Sequence, residues 1–445
     1  MVLLRGDETN KLVHYQKGKH LLCFMESDKI KLIIFSIGGY QLNEQIKFIH
    51  AADTHLDSPF HGMTNLPDTI FEQVRQSTFH AFDYLIKIAI QKNVDFILLV
   101  GDLFDHERQS LKAQVYLKNA FEKLESHSIQ VFLSYGNHDH INGNPYQISF
   151  PHNVHIFPSE KVTSFAFYKN GQRLASIYGF SYENRSITKN KINEYKLENA
   201  EVPFHIAMLH GSIVGNKLHD PYAPFKLTDL YNTHFDYWAL GHIHKKEILS
   251  ETPPIIYPGN TQGRHRNESG EKGFYYIEMS ENKLNKQFIK SNVIQFEAIS
   301  IDLNDEETID QIRDKINKKT NGFISMPILF YVQFSGNSYH FQLHQDGVLE
   351  EIVTIFNEEN MLAKQWSYIY KYVFEFTEAP IMKSDHFFIG EVEKSLSELA
   401  VNEAISELFN HREMRRYVDP IDEQDIKKQA KELLINELTE SRRNI

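Results

Sequence analysis

From residue 46 onward the chain alternates two textures. Nearly continuous apolar runs at 46–52, 95–100 and 129–135 are separated by stretches, 69–92 and 110–126, in which apolar residues recur every three or four positions. In the first stretch Phe71, Val74, Thr78, Phe82, Leu85, Ile86 and Ala89 share one face, as an amphipathic helix requires. Short apolar runs between such helices fit strands buried on both faces of a sheet. The pattern predicts an α/β domain over residues 46–292, with further strands at 153–157, 204–209, 236–240, 254–257 and 273–279. A hairpin is expected about Asn170-Gly171, because that dipeptide tolerates the left-handed backbone of a tight turn.

After residue 290 a smaller α+β module is expected, within 293–380: strand 293–301, helix 307–318, strand 327–334, helix 348–357 and strand 367–376. From residue 387 the chain reads as charged amphipathic helix, broken near Asp419-Pro420. Phe388, Ile389, Val392, Leu396, Leu399 and Ile405 form one apolar stripe there, and Ile426, Ala430, Leu433, Leu434 and Leu438 form a second. Residues 381–445 are thus a C-terminal helical segment suited to docking on another helix. Residues 1–45 do not join the pattern and read as an N-terminal extension with no assigned role.

Composition changes this picture little. The 445 residues are 41% hydrophobic and 24% charged, as in ordinary soluble folded chains. The single cysteine, Cys23, excludes an internal disulfide and a thiolate cluster, so a metal would be held by His, Asp, Glu or Asn. No run of roughly 18 apolar residues marks a signal peptide or a membrane span, and a reducing, cytoplasmic location is the expectation. Charge distribution matters more than the net value of -12. Acidic residues outnumber basic ones 27 to 16 after position 300 but only 32 to 31 before it, so the N-terminal part can still present basic patches to a polyanion.

The chemistry lies at the ends of the apolar runs, the edge where open α/β sheets place their sites. The first run closes on Asp53-Thr54-His55, the second on Gly101-Asp102-Leu103-Phe104-Asp105, and the third on Gly136-Asn137-His138-Asp139. His210-Gly211 and Gly241-His242-Ile243-His244 follow two later strands. Each fragment alone reads more readily as a surface pair, a turn or a helix cap than as a ligand set. Five of them in order, each after a buried strand, point to a metal centre.

This ordered set resembles the calcineurin-like metallophosphoesterase superfamily, whose pattern runs D-x-H, G-D, G-N-H-D or E, H and G-H-x-H. The resemblance implies an α/β fold, a β-sandwich flanked by helices, and two divalent metal ions that clamp a phosphate ester and activate water for in-line attack. Carboxylate and imidazole donors suit Mn²⁺, the leading expectation, as well as Fe²⁺ or Zn²⁺. By the same resemblance Asp53, His55 and His244 would hold the first metal, Asn137, His210 and His242 the second, and Asp102 would bridge them. His138 would act on the scissile phosphate or the leaving oxygen, with Asp139 orienting its imidazole.

The segments 48–60 and 101–105, with the 257–264 segment Tyr-Pro-Gly-Asn-Thr-Gln-Gly-Arg, are similar to the DNA repair exonuclease branch, SbcD-like and most narrowly the bacterial YhaO-like proteins. The second motif lacks the Arg-Gly pair of phosphoprotein phosphatases. It also carries Asp105 where some archaeal members have a second catalytic histidine, so Asp105 is given no such role; His106 and His140 read as loop residues. The resemblance further implies a capping domain after the phosphoesterase domain, C-terminal helices that dock on an SbcC-like coiled-coil ATPase, DNA as substrate and a homodimer. Lys189, Lys191, Lys245, Lys246, Arg264 and Arg266 are candidate DNA contacts, and Phe79 or Tyr84 on the first helix a candidate partner surface. A small-molecule phosphodiesterase or nucleotidase on the same metals is the alternative, disfavoured by the extra C-terminal module. A scaffold without activity is disfavoured by the complete ligand set.

Overall fold

In the computed structural model the described residues run from 45 to 376, apart from positions 61, 64, 107–108, 145, 147, 199–200, 215–221, 282, 305–306 and 324–325. Four strands before residue 34 and helical positions 390, 391, 394, 395, 427 and 430 are also described. The remaining C-terminal helix expected from the sequence lies outside the described residues. Two units are distinguished, residues 1–46 with 279–284, and residues 47–278 with 285–445.

The first unit contains β1 (Val2–Leu4), β2 (Lys11–Gln16), β3 (Lys19–Glu26) and β4 (Lys29–Ile33), an antiparallel sheet in chain order. The N-terminal extension is therefore built as strands, with Cys23 in register between Leu12 and Leu32.

In the larger unit the expected alternation appears as β5 (Gln45–Ala51), α1 (Asp68–Gln91), β6 (Phe96–Val100), α2 (Leu111–Glu125), β7 (Gln130–Ser134) and β8 (Val154–Ile156). Next come the hairpin β9 (Thr163–Lys169) and β10 (Gln172–Gly179), then β11 (Phe204–His210), α3 (Leu227–Tyr231), β12 (Tyr237–Gly241), β13 (Glu247–Glu251), β14 (Pro254–Tyr257), β15 (Gly273–Ser280) and β16 (Lys283–Lys290). At the hairpin both turn residues have positive φ, 53° at Asn170 and 79° at Gly171, the turn whose twist matches the flanking strands.

Two six-stranded sheets result, ordered β16-β15-β5-β6-β7-β8 and β13-β14-β12-β11-β10-β9, with β5 to β8 mutually parallel and β10, β11, β12 and β14 likewise. Period-two alternation explains why the strands are apolar throughout. Phe48, Phe96 and Phe132 point into the space between the sheets and meet Tyr237, Phe167 and Phe165 at ring distances of 5.3, 4.9 and 6.2 Å. Their neighbours Ile49, Ile97, Leu99, Val131 and Leu133 point outward and pack under Phe82, Leu85, Ile86, Phe121 and Leu124 of α1 and α2. Full burial of each such side chain is worth about 1.5–3 kcal/mol. The second sheet is covered on its far side by Ile187, Tyr195, Leu230 and Phe235.

The C-terminal module follows as β17 (Gln295–Asp302), α4 (Ile309–Thr320), β18 (Ile328–Gly336), α5 (Ser338–Gln345), α6 (Val348–Asn360) and β19 (Ser367–Phe376), a three-stranded parallel sheet in chain order. The eight-residue α5 went unread in the sequence because it buries only His340 and so carries no apolar stripe. One face of β18 packs on α4 and α6 through Phe330, Val332 and Phe334, and the alternate residue Leu329 joins Phe296 and Trp366 against Ile70 and Val74 of α1. Trp366 Nε1 donates to Gln73 Oε1 at 2.9 Å. The 24 residues of α1 thus serve two modules, its first turns holding the C-terminal module and its later turns holding the sheet. Phe79, expected as partner surface, is instead buried against the Tyr116 ring at 4.8 Å, whereas Tyr84 remains 38% exposed. No described helix is long and apolar enough to cross a membrane.

Candidate metal centre

All the expected ligands lie at or just past the C-terminal ends of five parallel strands, three from one sheet and two from the other. Asp53 and His55 follow β5, Asp102 follows β6, Asn137 follows β7, His210 ends β11, and His242 and His244 follow β12. Backbone hydrogen bonds continue past the strands, from Asp53 N to Gly101 O at 3.2 Å and from Gly101 N to Ser134 O at 3.1 Å. The chain then turns through the left-handed region at Asp53 (φ 52°), His55 (40°), Asp102 (50°) and His242 (97°). Such conformations cost of order 1–3 kcal/mol each for non-glycine residues and persist where the surroundings impose them. The flanking glycines answer to space: a Cβ at Gly101 would lie 2.2 Å from His210 Nδ1, and one at Gly136 2.3 Å from Asp102 Oδ1.

Two ligand groups result. One atom from each of Asp53, His55, Asp102 and His244 lies within 4.8 Å of the others, and the same holds for Asp102, His210 and His242. Asp102 belongs to both. Asn137 joins the second group through Oδ1, 3.0 Å from His210 Nε2 and 3.2 Å from His242 Nδ1. In the first group the Nε2 atoms of His55 and His244 face each other at 3.1 Å.

Electrostatics match this geometry. Burial lifts the Asp53 carboxyl well above its ordinary range against the pull of His210, and the neighbouring Asp102 lifts it further. Despite equal burial, Asp102 is held well below that range by the charge and hydrogen bond of His210, 3.3 Å away. Against its own burial, His210 is in turn pushed up to about 9 by Asp102. Burial, aided by Arg264, lowers His55 to about 3, which keeps its imidazole in the neutral form that binds metal. Two buried carboxyl groups and four imidazoles, with the Asn137 amide oxygen, form a donor set that fits a dinuclear divalent site.

A family profile described as calcineurin-like phosphoesterase matches residues 46–246, the span holding every one of these ligands. A Bacillus subtilis protein bearing the name "Uncharacterized metallophosphoesterase YhaO" is 37% identical over 392 residues, covering 86% of this chain and 94% of its own. The chain belongs to the calcineurin-like metallophosphoesterase family. It is a phosphoesterase, with a Mre11-like relationship in its sequence. The DNA double-strand break repair protein Mre11 of Methanocaldococcus jannaschii is 28% identical over 298 residues, covering 64% of this chain and 75% of its own. That of Sulfurisphaera tokodaii is 25% identical over 414 residues, covering 87% and 96%.

Around the phosphoesterase ligands the structure revises one expectation. Asp139 does not face the His138 imidazole. Its carboxylate accepts from the backbone amides of Gly136 at 2.6 Å and Leu103 at 2.7 Å, tying the second and third ligand loops together. The His138 ring instead lies 2.9 Å through Nδ1 from the Asp105 carbonyl and stands edge-on to His55 at 5.0 Å, at the half-exposed mouth of the first group. Burial, with repulsion from Asp102, pushes Asp139 up to about 7 in spite of those amides.

Among the candidate DNA contacts, Arg264 is not a surface cation: its side chain is 13% exposed and pairs with Asp105 and Glu268. Lys191 is likewise taken up by Glu194, beside the Phe180 ring. Lys246 pairs with Glu271 at 3.2 Å, and the Arg266 guanidinium lies 4.4 Å over the Tyr331 ring. Lys189 and Lys245 are exposed. His106 is exposed, and His140 is buried.

Sequence reading missed Glu268, which accepts from His244 Nδ1 at 2.6 Å, and Tyr182, whose hydroxyl donates to His210 O at 2.9 Å. Glu268 follows the 257–264 segment by four residues, and Asn260 of that segment donates to its other oxygen at 2.8 Å. That segment was the only signal that could have led there.

Proposed function

We propose that this metallophosphoesterase is a DNA nuclease, an exonuclease or endonuclease in DNA repair, working with two Mn²⁺ ions. The observation carrying this reading is the relationship to two Mre11 repair proteins that runs beyond the ligand-bearing span, to 298 and 414 aligned residues. When bound, the two cations supply Lewis-acid polarisation of the phosphodiester and a water of lowered pKa. Asp53, His55 and His244 would hold the first, Asn137, His210 and His242 the second, and Asp102 both. His138, at the mouth of the first group, is placed to meet the phosphate or protonate the leaving oxygen. Asp139 holds the loop carrying Asn137 and His138.

The same reading assigns the exposed Lys189 and Lys245 to the DNA backbone, the C-terminal helices to an SbcC-like coiled-coil ATPase, and the exposed side of α1 around Tyr84 to a homodimer. Its place would be the cytoplasm, in keeping with a chain holding one cysteine. The deciding assay offers purified protein and Mn²⁺ labelled single- and double-stranded DNA beside a generic phosphodiester. DNA cleavage abolished by a chelator is expected. Turnover of the generic ester with both DNA forms left intact would overturn the nuclease reading in favour of a small-molecule phosphodiesterase.

A further inference from the structure

The two ligand groups are held in different ways. In the second, His210 Nδ1 faces a backbone acceptor, Val100 O at 3.0 Å, and His242 Nδ1 faces Asn137 within the group itself. In the first, both distal nitrogens face carboxylates. Asp105 Oδ1 lies 3.3 Å from His55 Nδ1, and Glu268 Oε1 lies 2.6 Å from His244 Nδ1. With Nδ1 as the protonated nitrogen, each ring turns its Nε2 lone pair toward the other, which is the form a metal needs.

One residue joins these two carboxylates. Arg264 Nη1 pairs with Asp105, its Nη2 lies 3.3 Å from Glu268 Oε1, and its backbone amide donates to Glu268 Oε2 at 2.8 Å. The result is a row of close polar contacts, His55 to Asp105 to Arg264 to Glu268 to His244. Asp105 and Glu268, 11% and 5% exposed, would repel each other without the intervening cation. The fork of a guanidinium reaches both, while an ammonium is a single point charge.

We infer that Arg264 is a positioning residue for the first metal alone, fixing the tautomer and orientation of its two imidazoles through Asp105 and Glu268. The inference rests on the dinuclear reading above, and it assigns a cation expected at the DNA surface to the interior of the metal centre.

The test titrates Mn²⁺ into the purified, metal-free full chain, followed by calorimetry and electron paramagnetic resonance, for wild type and Arg264→Lys. Wild type should take up two ions and give an exchange-coupled signal. Arg264→Lys should keep one ion at wild-type affinity and bind the other roughly 10- to 100-fold more weakly, so that one equivalent gives an uncoupled signal. On a phosphodiester substrate kcat should fall with KM little changed. Glu268→Gln, which keeps the side-chain shape, should show the same one-site loss and serves if Arg264→Lys does not fold by circular dichroism. Two ions bound at wild-type affinity in a folded variant, or equal weakening of both, would overturn the bracing role alone. Fewer than two ions in wild type would overturn the dinuclear reading and this role with it.

Discussion

Asp102 and His138 stand in adjacent ligand loops, joined by a 3.0 Å hydrogen bond from His138 N to Asp102 Oδ1, yet the geometry separates their tasks. Asp102 belongs to both ligand groups, so Asp102→Ala should lose at least one metal and nearly all hydrolysis. Metal analysis finding two tightly bound ions in an active Asp102→Ala protein would refute the shared ligand. His138 belongs to neither group, so His138→Asn should retain full metal content while turnover drops by roughly 10² to 10⁴. Loss of a metal, or an unchanged rate, would remove it from the catalytic role. At this scale the strand-end motifs were legible because each ligand is local in sequence to a buried run. Asp139, Arg264 and Glu268 were misread or missed because Leu103, Asp105 and His244, which they meet, lie 36, 159 and 24 residues away, a pairing no local pattern encodes.

Among the elements, α1 does most to join separate parts of the chain. Its periodicity announced a helix, and the stripe from Phe82 to Ala89 does face the sheet. The stripe does not reveal that Ile70 and Val74 face a module more than 200 residues further on. Trp366 is 3% exposed in that contact and donates to Gln73. Trp366→Ala should therefore destabilise the docking of residues 295–376 by roughly 3–5 kcal/mol, the range for a buried aromatic removed. Denaturant unfolding should then show an early transition for this module while metal binding persists in the rest. A single unchanged transition would mean that the contact contributes little. The same reasoning explains Phe79: one face of α1 looked free for a partner because the ring that covers it, Tyr116, arrives on α2.

For the whole molecule, Asp53 and Asp102, buried where the strand ends of the two sheets meet, favour a cation bound among them. Adding Mn²⁺ should raise the unfolding temperature, since a site at a hundred times its Kd adds about 2.7 kcal/mol. Asp102→Ala should blunt that response, and an unfolding temperature indifferent to Mn²⁺ and to chelator would argue against a metal centre. What the amino-acid sequence determined by itself was whatever depends on near neighbours: strand and helix periods, the Asn170-Gly171 turn, and ligands placed within four residues of the ends of buried strands. Tertiary structure alone decided which strands share a sheet and where the two layers meet. It brought Asp102 within reach of both ligand groups and buried Arg264 between two carboxylates. The physical reason is that hydrophobic period reports burial along one element, while the pairing of charges depends on distances across the sandwich, set by how its layers pack.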